Sequence, residues 1–284
     1  MSIRLAIVTD IHHGAPSHTK RGDTAAALME EFARYVTDCG ASHVLDLGDR
    51  ISDIDHATDL RLETEVADMF RAIPRPALHI NGNHDRDHLS VAENEAILNQ
   101  SMGHEVHDIE GWRLILWRAD SRIGNTPDGR SFHLPDPDLH WLAGQMQKTD
   151  RPTLICAHVP TSGHSQIGNY YFENRPQAST YPQAAAVRQA LALARVPVVC
   201  LSGHVHWNTL TTVNGITHLT QQSLTESFTT GGEPAGAMGL IELSDGALSW
   251  DVVGRDPFRF ALRPTADRWT PPLARPAPIP AEAV

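Results

Sequence analysis

Residues 3–14 read IRLAIVTDIHHG, an apolar run of strand character followed by an aspartate, two histidines and a glycine. A buried strand ending on three potential metal donors points to a site at its carboxyl end. Alternate side chains of an extended segment share a face, so Asp10 and His12 point together and His13 points the other way. Two of the three donors can reach one ion, and His13 reads as a bystander at the rim.

The same arrangement recurs along the chain. HVLDL (43–47) runs into Gly48-Asp49, and PALHI (76–80) into Asn81-Gly82-Asn83-His84-Asp85. TLICA (153–157) runs into His158, and PVVCLS (197–202) into Gly203-His204-Val205-His206. In α/β folds, sites form beyond the carboxyl ends of the strands, so these ends are expected to converge. Their oxygen and imidazole donors, without thiolate, suit divalent Mn, Fe, Zn or Co. So many ligands exceed what one ion with an open position accepts, but they suit two ions sharing a carboxylate. Each block alone is ordinary turn or cap chemistry. Their ordered coincidence, each after an apolar run, argues for a dinuclear centre.

Helical patterns separate these strands. Asp23 or Thr24 can cap a helix bearing Leu28, Phe32 and Val36, with Gly40 at its end. Leu62, Val66, Phe70 and Ile73 mark a second helix, stopped by Pro74. Further helices are expected in 90–101, 136–147 and 182–194, and WRLILW (112–117) is a strand. After residue 206, short alternating runs split by NG, GGEPAG and DG read as hairpins. The class is therefore α/β, a mixed sheet or two packed sheets with outer helices. Residues 1–255 form one domain, and the proline-rich stretch 256–284 reads as an extended tail.

The chain has 284 residues, 41% hydrophobic and 20% charged, with a formal net charge of −11. That balance argues against partners that need clustered Lys and Arg, namely a nucleic-acid polymer or an anionic membrane. Bound cations would still admit a small anion. Cys39, Cys156 and Cys200 form no CxxC pair and read as buried hydrophobes in a reducing compartment. With no signal-peptide pattern and no apolar run near the ~20 residues of a membrane span, the expectation is a soluble, cytoplasmic protein.

Asp-x-His, Gly-Asp, Gly-Asn-His-Asp, His and Gly-His-x-His, in this order over residues 3–206, resemble the calcineurin-like metallophosphoesterase superfamily. Length and spacing look most like the branch with class III cyclic-nucleotide phosphodiesterases and bacterial glycerophosphodiesterases. The resemblance implies a four-layer αββα sandwich of two mixed sheets flanked by helices. It implies that Asp10, His12 and His206 hold one divalent ion, that Asn83, His158 and His204 hold the other, and that Asp49 bridges them. His84 would be catalytic, with Asp85 orienting it. The implied activity is a metal-dependent phosphodiesterase acting on cyclic nucleotides or glycerophosphodiesters by in-line attack of a metal-activated hydroxide. The alternative is a phosphomonoesterase, or a hydrolase of another phosphorus ester, using the same centre. Two positions depart from the pattern: Ala157 where many relatives of that branch carry histidine, and Arg50 where an apolar residue is common.

The substrate, a small anionic phosphoester, needs contacts beyond the phosphate. Residues 160–181 are polar and aromatic and too long for a minimal connection, as rims and lids are. Asn169, Tyr170, Tyr171, Phe172 and Arg175 are its candidates for substrate contact, and His164 and His218 are further pocket candidates. The alternative for this loop is packing between subunits of a homo-oligomer. His79, inside a strand, reads as a packing histidine.

Overall fold

The structure, a computed structural model, describes residues 2–126 and 129–269. In chain order the strands are β1 (Ile3–Val8), β2 (His43–Asp46), β3 (Ala77–His79), β4 (Glu105–Ile109), β5 (Trp112–Leu116), β6 (Ile123–Thr126) and β7 (Gly129–Phe132). They continue as β8 (Thr153–Ala157), β9 (Val198–Ser202), β10 (Thr209–Val213), β11 (Ile216–Thr220), β12 (Met238–Ser244), β13 (Ala247–Val253) and β14 (Phe258–Leu262). The main helices are α1 (Ala25–Asp38), α2 (His56–Arg71), α3 (His84–Asp87), α4 (Val91–Leu98), α5 (Asp136–Lys148) and α6 (Ala184–Leu191).

Period-two alternation along each strand builds the layers. In β1, Leu5 and Ile7 face the second sheet, while Ala6 and Val8 pack under Met29 and Phe32 of α1 and Val66 of α2. In β8, Leu154 and Cys156 face the first sheet, whereas Ile155 packs with Leu142 of α5 and Val187 of α6. Two apolar faces per strand require cover on both sides, which is why these runs read as continuously hydrophobic. The result is helix, sheet, sheet, helix: the four-layer sandwich that the family resemblance implies, and the two-sheet form of the two arrangements that the pattern of elements allows.

Both sheets are mixed. The first is ordered β14-β13-β12-β1-β2-β3 and the second β10-β11-β9-β8-β5-β4. β1, β2 and β3 are mutually parallel, as are β5, β8 and β9, so their carboxyl ends emerge at one edge. β10 and β11 are joined through Asn214 and Gly215, both at positive φ, the geometry the NG dipeptide supplies to a tight hairpin. Cys39, Cys156 and Cys200 are free thiols, the last two buried in strands.

Two local expectations need correction. Residues 22–24 form a 3-10 turn leading into α1, and no side chain caps that helix; the Thr24 hydroxyl donates back to Arg21 O instead. Phe258–Leu262, read as the start of the tail, is an antiparallel strand on β13, its Phe258 packed against Trp250. Alternation over five residues was masked there by flanking prolines and arginines. Residues 270–284 of the expected tail lie outside the described residues. No helix among the described residues is long and apolar enough to cross a membrane.

Candidate metal centre

The loops after β1, β2, β3, β8 and β9 meet at one edge of the sandwich. Asp10, His12, Asp49, His204 and His206 all have left-handed φ, between 47° and 69°. Such a conformation costs a non-glycine residue roughly 1–3 kcal/mol, and it clusters where geometry is imposed by function. Gly48 and Gly82 let the β2 and β3 loops touch: a Cβ on Gly48 would strike the Gly82 backbone, and one on Gly82 would strike Asp49.

Asp10, His12, Asp49 and His206 each offer one donor atom within 4.8 Å of the others, and Asp49, His158 and His204 do the same. Asp49 belongs to both sets. Asn83 joins the second, its Oδ1 3.4 Å from His158 Nε2. His206 Nε2 lies 3.2 Å from Asp10 Oδ1, and His158 Nε2 lies 3.5 Å from Asp49 Oδ2. The Nε2 atoms of His12 and His206 face each other at 3.0 Å, a separation at which two ring nitrogens share a proton or an ion.

The outer partners of the rings fix which nitrogen points inward. His158 Nδ1 donates to Leu47 O at 2.8 Å, and His204 Nε2 donates to Ala178 O at 2.9 Å. His206 Nδ1 donates to the Glu226 carboxylate at 2.8 Å. In each case the second nitrogen faces the cluster, the arrangement by which proteins orient imidazole ligands. Around these carboxylates the histidines titrate oddly. Burial lowers His158 and His206, but Asp49 acting on the first and Asp10 with Glu226 acting on the second raise both to about 9. His204, desolvated and beside His158, falls to about 3. His12 falls through burial and then the charges of Lys20 and His206. Asp49 stays well below the usual range although burial opposes it, because His158 and His84 stabilise its charge. Buried carboxylates that draw positive charge onto their neighbours are what a cation site requires, so this donor set fits two divalent ions.

A cavity of about 210 Å³ adjoins the centre, bounded by Asn83, His84 and His204 on one side and by Tyr171, Phe172 and Arg175 on the other. Ile123 and Arg130, from the β6–β7 hairpin, complete its mouth.

The profile described as calcineurin-like phosphoesterase matches residues 3–208. The chain belongs to this family. Over 215 residues the phosphoesterase is 28% identical to a Synechococcus protein named "probable cyclic nucleotide phosphodiesterase", covering 72% of this chain and 74% of that one. Its fold is similar to that of a dimetal phosphatase from Danio rerio, with a TM-score of 0.72, 15% identity, and 93% and 99% of the two chains covered. A purple acid phosphatase from yellow lupin seeds is similar at a TM-score of 0.61 and 12% identity, over 96% of this chain and 57% of that one. The phosphoesterase is thus a hydrolytic metalloenzyme, and its buried Asp and His groups support a dinuclear metal site.

Several side chains of this phosphoesterase lie elsewhere than expected. Asp85 does not touch His84; its carboxylate accepts the backbone N–H of Gly82, Asp49 and Arg50 at 2.8–3.0 Å, because two crowded loops leave those donors unpaired. The His84 partner is Asp53, whose carboxylate accepts from Nδ1. Asn169 is buried and organises its own loop, donating to Val205 O and accepting from Tyr171 N and Phe172 N. Tyr170 is exposed and stacks on Phe228 away from the cavity. His164 is bonded to Ser162 and Gln166, and His218 to Thr161, under the second sheet; neither lines the cavity. Tyr171 and Arg175 do line it. His13 pairs with Glu65 of α2, outside the centre, and His79 is a core residue bonded to Asp46.

Sequence reasoning missed Glu226, Asp53 and Lys20. Glu226 lies in QQSLTES (221–227), whose residues are all buried and whose Ser223 and Thr225 donate to Asp10 O and Ile11 O. A polar stretch after a strand reads as solvent loop, and only its uninterrupted burial reveals its purpose.

Proposed function

We propose that this chain hydrolyses small phosphodiesters of the cyclic-nucleotide or glycerophosphodiester type. Asp10, His12, Asp49 and His206 would hold one divalent ion, and Asp49, Asn83, His158 and His204 the other. The observation that carries the reading is the pair of donor sets sharing Asp49, opening directly onto a cavity wider than a phosphate alone needs. Two such ions supply Lewis-acid neutralisation of phosphate charge and an activated water nucleophile.

The protein's own residues supply position and a proton. The His84 backbone N–H bonds to Asp49 Oδ1 at 2.9 Å, tying the imidazole to the bridging carboxylate. Asp53 accepts from Nδ1, which leaves Nε2 as the atom that meets the substrate. From there His84 holds a phosphoryl oxygen or carries a proton to the leaving oxygen. Tyr171 and Phe172 pack on His206 and His204, ring centroids 5.4 and 5.0 Å apart, so the aromatic wall both braces the centre and receives the second ester substituent. The name of the Synechococcus relative supports a diester.

Elemental analysis of the purified protein, with a substrate panel, tests this. The panel contains bis(p-nitrophenyl) phosphate, p-nitrophenyl phosphate, 2′,3′- and 3′,5′-cyclic nucleotides and glycerophosphodiesters. Two ions per chain and diester turnover above monoester turnover are expected. Monoester turnover far above every diester would replace the reading with a phosphomonoesterase. Less than one ion per chain after reconstitution would remove the dinuclear centre.

A further inference from the structure

Lys20 belongs to no strand-end block and has no part in the roles above, yet its side chain runs into the centre. The residue is only 7% exposed. It sits on a tight turn in which Ser17 and Lys20 exchange backbone hydrogen bonds of 3.0 and 2.9 Å. Arg21 N bonds Thr225 O at 2.9 Å and the Ser227 hydroxyl bonds Thr19 O, so this turn is bolted to the segment carrying Glu226. The Thr19 hydroxyl and the Tyr171 phenol are 2.8 Å apart, which joins the same turn to the cavity wall. The backbone of Lys20 is therefore held on two sides.

Its ammonium group is poorly served. Nζ lies 3.5 Å from His84 Nε2, and it makes no ion pair with a carboxylate among the described residues. An ammonium carries three donors, and a single long contact leaves most of that capacity unused. Burying such a charge unpaired is unfavourable, so a lysine placed this way is suited to an anion that arrives later. Burial lowers its pKa on balance, opposed only in part by Asp49, Asp53, Glu226 and Asp10. Nζ meets His84 at the ring atom left free by Asp53, so both groups bear on one point beside the metal donors. Arg130, by contrast, is exposed at the cavity mouth.

We propose that Lys20 is a substrate-binding residue: its ammonium group and the His84 imidazole together grip the phosphoryl oxygens of the bound phosphoester. A compact point charge with rotatable donors suits a non-bridging oxygen whose position changes as the ester is cleaved. The proposal rests on reading the centre as a phosphoester site but not on the preference for diesters.

Calorimetric titration of the metal-loaded protein with inorganic phosphate tests it without any turnover. Lys20→Met is expected to weaken phosphate binding roughly 10- to 100-fold, the effect of losing one or two charge-assisted hydrogen bonds, with metal content unchanged. Lys20→Gln serves as the second variant should the methionine disturb folding. The same substitution in a His84→Ala background is expected still to weaken phosphate severalfold, by a factor that differs from the single variant's because the two groups touch. Wild-type phosphate affinity in the single variant overturns the proposal. A loss that disappears in the His84→Ala background also overturns it, since Lys20 would then act only by positioning His84. Failure of the diester reading shows instead in the wild-type substrate panel and leaves the phosphate titration intact.

Discussion

At the residue scale, the centre consists of donors whose orientation is fixed by a second set of side chains. His206 depends on Glu226, and His84 on Asp53. His84→Ala is expected to keep its metal content, because no donor of either cluster is removed, and to lose roughly 10²–10⁴ in turnover on a substrate with a poor leaving group. Unchanged turnover on that substrate would take His84 out of the mechanism. Asp53→Asn is expected to lose roughly 10- to 100-fold, the range for removing an orienting partner, with little change in metal content. Equal turnover in Asp53→Asn and wild type would return the orienting role to another group. Asp85 illustrates what sequence adjacency cannot tell: it follows His84 directly, yet backbone donors of three residues claim its carboxylate.

At the element scale, the loop after β2 is held from beneath by Arg50, a fully buried guanidinium at the position where an apolar residue is common. It bonds Asp46 at 2.9 Å, Glu63 of α2 at 2.5 Å and Asn81 Oδ1 at 2.6 Å, and reaches Asp85 at 3.3 Å. The β2 and β3 loops and α2 are thus joined through one side chain facing away from the cavity. Arg50→Met removes the guanidinium shared by three buried carboxylates, and denaturant titration should show a loss of about 3–5 kcal/mol. The three carboxylates outnumber the one guanidinium, and burial raises both Asp85 and Glu63. Glu63 goes from 4.5 to about 8, with Asp85 and Asp46 adding to burial against the pull of Arg50. Its folded pKa lies above its unfolded one, so the folded state binds the extra proton and stability falls as pH rises from 4.5 to about 8. Glu63→Gln should flatten that slope, compared by denaturant titration at pH 5 and pH 8. An identical slope in both proteins would place the shared proton elsewhere in the network.

At the scale of the whole molecule, two sheets contribute to one centre. Asp10, Asp49 and Asn83 follow strands of the first, while His158, His204 and His206 follow strands of the second. Ions bound between them would link the sheets, and only the folded chain gathers the donors. Chelation should therefore lower Tm, and readdition of Mn²⁺ or Zn²⁺ should restore it; at a thousandfold excess over Kd, one site contributes about 4 kcal/mol. A Tm unaffected by chelation, with the metals shown to be gone, would disconnect the centre from the fold.

What the sequence by itself determined follows from local periodicity and ordered motifs. Runs such as IRLAIV and TLICA read as buried strands, and the donors at their carboxyl ends are expected to converge if those strands run parallel. The motif order was enough for the resemblance to the family, and the resemblance, rather than periodicity, implied the four layers and Asp49 as the shared carboxylate. Only the tertiary structure decided which side chains serve the donors, because those contacts cross large sequence separations without any repeating pattern. Glu226 meets His206 across the β10–β11 hairpin, Asp53 displaces Asp85, and Lys20 reaches His84 across 64 positions of sequence. Likewise His164 and His218 share the residue type of the donors, but His164 is held within its own loop by Ser162 and Gln166 and His218 turns on β11 toward Thr161, so neither lines the cavity. In TDIHHG strand alternation pairs Asp10 with His12, but β1 ends at Val8, and left-handed turns at both residues, tied to Gly48 O and Asp49 O, are what bring them together. Their completion by His206, 194 positions after His12, likewise required the fold.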